Sequence, residues 1–105
     1  MKHFYTEIEN ITLEFDDIKT NQDGMDSISL HFEKPIEDGF AFLDTSLPTL
    51  YVERAYGFSE MEIYHLIQYA RTNASLIWKL ALSYAKGEEN DAANYKTRLC
   101  HCQVV

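Results

Sequence analysis

Gly57-Phe58-Ser59-Glu60-Met61-Glu62-Ile63 divides the chain in two. Ser59 stands where a helix N-cap belongs, and Glu62, three residues on, completes a capping box. Phe58 and Ile63 take the two positions of a hydrophobic staple. A helix therefore begins here, and Gly57 closes what precedes it. On the N-terminal side apolar residues recur at every second position, and on the C-terminal side at spacings of three and four. The expected fold is α+β: an antiparallel meander of about four strands followed by two helices, or one bent helix, packed on one face.

Working back from Gly57, Leu50–Tyr56 reads as a strand with Leu50, Val52 and Tyr56 on one face, interrupted on that face by Arg54. Pro48 marks a loop, and Phe40-Ala41-Phe42-Leu43 is short and apolar enough for a more central strand. Lys34-Pro35-Ile36-Glu37-Asp38-Gly39 is the break before it. Ser27–Glu33 alternates cleanly, with Ile28, Leu30 and Phe32 on one face and Ser29 and His31 on the other. Asn21-Gln22-Asp23-Gly24 is a turn, since these residue types tolerate the left-handed backbone a tight turn needs. Ile11-Thr12-Leu13-Glu14-Phe15 is a strand with Ile11, Leu13 and Phe15 inward. His3–Ile8 is either an earlier strand or the same one continued.

Forward from Ser59, Ile63, Leu66, Ile67 and Ala70 form one helical face, and Thr72-Asn73 offers a break or kink. A second helical stretch carries Ile77, Leu80, Ala81 and Tyr84, with Gly87 as its stop. Glu88-Glu89-Asn90-Asp91 reads as a solvated loop. In Tyr95–Val105, Cys100, Cys102 and Val104 alternate with Leu99, His101 and Gln103, which reads as a terminal strand or as a frayed tail.

At 105 residues, and with independent domains usually needing about 100 to 150, residues 1–105 are expected to form one domain. A composition 46% hydrophobic, with four glycines and two prolines, fits a packed globule. No run approaches the roughly 18 apolar residues of a spanning helix. Met1-Lys2-His3-Phe4-Tyr5-Thr6-Glu7 has no signal-peptide core, so a cytoplasmic location and no membrane partner are expected. The net charge of −8 is unevenly placed: residues 1–50 hold eleven acids against three lysines, and residues 51–105 six of each sign. Such a field repels nucleic acid and steers a basic partner in; the plainer reading is that an acidic surface simply keeps the protein soluble.

Cys100-His101-Cys102 offers zinc-type ligands, but two thiols with His3, His31 and His65 do not make the spaced pairs of a structural site, and on a strand His101 points away from both cysteines. Small apolar packing of the thiols is the simpler reading. No nucleophile elbow accompanies Cys100 or Cys102. Glu60 with Glu62, and Asp16 with Asp17, read as capping and surface charges. Gly24, Gly39, Gly57 and Gly87 are isolated, without the spacing of a phosphate-binding loop. Tyr51, Tyr56, Tyr64, Tyr69 and Trp78 are candidates for a sticky surface, core packing being the commoner fate of such residues. The residues thus single out no catalytic, metal or cofactor site, and no cofactor is expected.

The run Gly57–Ile63, continuing through Asn73 to Ile77-Trp78, resembles the C-terminal half of a group of small bacterial proteins of unknown function. Some of these are encoded beside toxin–antitoxin modules. The resemblance implies a strand, a Gly-Phe-Ser capping turn and a helical pair ending in an aromatic. The group's basic or histidine-rich features near its N-terminal hairpin are missing here, so no nucleic-acid role and no functional residue carries over.

The function expected from the sequence is non-catalytic protein binding through the acidic sheet half, of antitoxin, immunity-protein or inhibitor type. The alternative is a self-associating structural domain, a homo-oligomer joined through the aromatic helical face or the terminal strand. Last comes a small enzyme or metal protein using His31, His65, Cys100 and His101.

Overall fold

The computed structural model describes residues 1–86. Period-two alternation produces strands β1 (His3–Ile8), β2 (Ile11–Phe15), β3 (Lys19–Thr20), β4 (Asp26–Ile36), β5 (Gly39–Leu47) and β6 (Arg54–Tyr56), and the helical spacing produces α1 (Glu60–Ala85). All pairings are antiparallel, and the sheet runs β1-β2-β4-β5-β6, with β3 lying beside β4. The α+β class and the meander are as expected, with six strands among the described residues rather than about four.

Two irregularities explain the extra strands. β1 and β2 are separate because Glu9 and Asn10 take positive φ of 52° and 68°, turning the chain in a tight hairpin. β3 continues the edge begun by β2. Phe15 pairs with Leu30 but Lys19 with Ser27, so that edge carries one residue more than β4 over the same stretch. β5 is longer than its first four apolar residues promised, because Thr45 and Leu47 extend the buried alternation.

The stretch Leu50–Tyr56 is mostly not a strand. Leu50 turns a corner at φ 59° and is buried, while Val52 and Tyr56 are exposed, so the three do not share a face. Only Arg54–Tyr56 pairs with β5.

Of the two forms expected for the helical half, the described residues form the single element rather than two helices. Ser59 accepts from the Glu62 amide at 3.1 Å and the Glu62 carboxylate accepts from the Ser59 amide at 2.7 Å, forming the expected capping box. Thr72-Asn73 does not break it, since Asn73 Nδ2 donates to the Tyr69 carbonyl at 2.8 Å and Asn73 Oδ1 accepts from the Tyr5 hydroxyl at 2.7 Å. Its 26 residues rise about 39 Å, enough to cross the sheet from end to end. Gly87 and the Tyr95–Val105 segment lie outside the described residues.

One face of the sheet receives the helix. Leu13, Phe15, Ile28, Leu30, Phe32, Leu43 and Leu47 meet Ile67, Ala70, Ile77, Leu80 and Ala81 in a single core. Ile63 and Leu66 are half-buried against it, as are Phe58 and Trp78. Tyr5 is the extra residue of a bulge between Phe4 and Thr6, which turns it inward to meet Asn73. Because the cap satisfies two otherwise orphaned helix amides, Ser59→Ala is expected to cost about 1 kcal/mol. It should lower the urea midpoint with an unchanged slope, and an unmoved midpoint would contradict the role assigned to the cap.

Candidate functional site

The helix covers one side of the sheet, and among the described residues no element packs on the other. Strand alternation puts every second residue on that outer side, and the register aligns them in rows. Phe4 pairs with Glu14, Glu14 with His31, His31 with Asp44 and Asp44 with Arg54, an unbroken line across five strands. The neighbouring line is Glu7, Thr12, Glu33, Phe42 and Tyr56. Ser29 faces Ser46 in the next.

These rows build an aromatic shelf inside an acidic frame. Phe42 stacks on Tyr56 at 6.2 Å and on His31 at 6.3 Å, and Arg54 lies over the Phe42 ring at 4.9 Å. Phe4, Phe40 and Tyr56 are more than half exposed. Around them stand Glu14, Glu33, Asp44 and Glu53. A groove of about 400 Å³ runs past Glu14, Asp16, Ser29, His31, Asp44 and Glu53.

Two charged centres hold this face in shape. Asp44 accepts from Arg54 Nε and Nη2 at 3.0 and 2.9 Å and contacts His31 Nδ1. Partial burial raises the Asp44 carboxyl, but the hydrogen bonds from His31 and Arg54 outweigh it and hold it below its ordinary value. At the sheet corner Met1 nitrogen lies 3.0 Å from both Asp16 and Asp17, and His3 Nε2 lies 2.7 Å from Asp17. Asp16 is lowered chiefly by the hydrogen bond from the terminal ammonium, and Asp17 chiefly by the one from His3. His3 is buried and stacks on Tyr84 at 3.8 Å, tying this corner to the far end of α1.

Asp16, Asp17, Asp44 and Glu62 are all held low, Glu62 by the Ser59 amide. The folded state therefore binds fewer protons than the unfolded chain in acid. Their stabilisation is complete above the ordinary carboxyl range of about 4 and is lost as pH falls through the lowered folded values. Urea midpoints should hold steady down to that range and fall steeply below it. A midpoint unchanged far into acid would contradict these contacts.

On the helix side a second hollow of about 280 Å³ opens between the β1–β2 hairpin and the first turns of α1, floored by Ile11, Leu13, Phe32 and Leu66. Lys34 and Glu62 sit there 4.0 Å apart, and burial raises the Tyr69 hydroxyl, partly offset by its hydrogen bond with Thr6.

The histidines weighed from sequence are not brought together. His31 is on the outer face, His3 is buried beside α1, and His65 is on the helix lining the second hollow. Cys100, His101 and Cys102 lie outside the described residues. Of the five aromatic residues weighed, Tyr51, Tyr56 and Tyr64 are exposed while Tyr69 and Trp78 pack against the core. The sequence reading missed the joining of His31 to Asp44 and Glu33, which requires knowing the register. Among the described residues no group of three or more His, Cys, Asp or Glu is arranged to hold a metal ion, and no helix is long and apolar enough to cross a membrane. No protein-family model matches the chain, and no curated protein or solved structure matches it.

Proposed function

We propose that this protein is a non-catalytic binding module that docks a basic protein partner on the open face of its sheet, in the manner of an antitoxin, an immunity protein or an inhibitor. The observation that carries the reading is the pair of cross-strand rows on the face the helix leaves bare, with Phe42 and Tyr56 at the centre and Glu14, Glu33, Asp44 and Glu53 around them. Aromatic side chains supply most of the energy in such contacts, and the surrounding charges supply orientation and on-rate. A second copy of the chain is a poor occupant, because it would set the same carboxylates against one another.

Affinity capture at low and high salt tests this. Exposed charges are screened beyond about 10 Å at 0.1 M salt, so a partner rich in lysine and arginine should be retained at low salt and released at high salt. Retention indifferent to salt, or capture of only acidic proteins, would overturn the reading.

A further inference from the structure

His31 has a carboxylate at each ring nitrogen: Nδ1 faces Asp44 Oδ1 at 2.5 Å, and Nε2 faces Glu33 Oε1 at 3.0 Å. An ionised carboxylate only accepts hydrogen bonds, and a neutral imidazole carries one N–H and one lone pair. The imidazolium alone donates to both. In the neutral ring one nitrogen would turn its lone pair toward a carboxylate oxygen, and that contact must open.

The other partners decide which contact opens. Asp44 is also gripped by Arg54 Nε and Nη2, and its side chain is 20% exposed. The Glu33 side chain is 40% exposed, and among the described residues its carboxylate has no other hydrogen bond. Glu33 is therefore the group that lets go. Among the described residues no other cation is paired with Glu33. Glu14 of β2 pairs directly opposite His31, and Asp16, Glu53, Lys2 and Arg54 line the same groove. The helix adds none, since it packs on the opposite side of the sheet.

We propose that His31 is a protonation gate on the contact face, pinning Glu33 when charged and releasing it to a basic partner when neutral. This rests on the contact-face reading above. With the gate open the face gains one free carboxylate and loses one cation, so a basic partner binds more tightly as pH rises through the histidine range.

The closing experiment has two arms on the intact chain. In the first, carbon-13 spectra follow the His31 ring and the Glu33 side-chain carboxyl from about pH 5 to 8, the range in which histidine changes charge. The Glu33 signal should move with the midpoint of the His31 ring and lose that inflection in His31→Gln. A Glu33 signal that ignores His31 overturns the gate. The second arm measures binding of an N-acetylated decalysine peptide, whose lysines stay charged over that range. Wild type should bind about two- to fivefold more tightly at the upper end, the scale of one exposed ion pair, and His31→Gln should not. Equal tightening in both proteins overturns the gate and spares the contact face. No salt-sensitive decalysine binding at any pH removes the contact face, and the gating role with it.

Discussion

Gly57→Ala is expected to destabilise the protein by about 2 to 4 kcal/mol, two costs acting together. Gly57 sits at φ 83°, where an L side chain is strained, and a Cβ built there would lie 2.8 Å from the Ala41 Cβ and 3.0 Å from its Cα. The neighbour is backbone and a buried methyl, neither of which can swing aside. The contact is close because Tyr56 pairs with Phe42, which brings the next residue, Gly57, across from Ala41 as the chain turns toward α1. For a domain of this size such a loss lowers the melting temperature by roughly 10 °C or more. Gly24→Ala is the control, since Gly24 also has a positive φ, 79°, but a Cβ there would meet nothing within 4 Å. Equal losses at the two positions would show that strain alone matters and that the close crossing does not.

Reversing two charges on the open face, Glu14→Lys with Glu53→Lys, should weaken a basic partner by about 10- to 100-fold, since attraction becomes repulsion at both positions. Both residues line the groove on the outer side. Neither is part of the core, so folding stability should move by only about 0.5 kcal/mol. Most of the loss should fall on the association rate and shrink as salt is added. An unchanged affinity with an intact fold would place the contact elsewhere.

What could be read from the sequence was what depends on near neighbours. Ile28, Leu30 and Phe32 alternate, and their side chains are buried as that pattern requires. Ser59 and Glu62 are three apart, and they cap the helix. Thr72-Asn73 misled because a residue that favours a break in isolation is held by Tyr5, 68 positions away, as well as by its own helix. Leu50–Tyr56 misled because alternation there reflects a buried corner at Leu50 followed by exposed residues.

The acidic half of the chain was visible as a charge imbalance, but its arrangement was not. That Glu14, His31, Asp44 and Arg54 form one row depends on the register of four strands, which no local pattern states. The same holds for Phe42, expected in a central strand, and for Tyr56, for which core and surface were both open: the two lie on the side that α1 does not reach.

The most direct test of the contact face is to map the captured partner onto the protein by line broadening of its aromatic signals. Binding through the open sheet face predicts broadening of Phe42 and Tyr56, with Tyr64 on the helix left sharp. Broadening of Tyr64 alone, with Phe42 and Tyr56 unaffected, would contradict it.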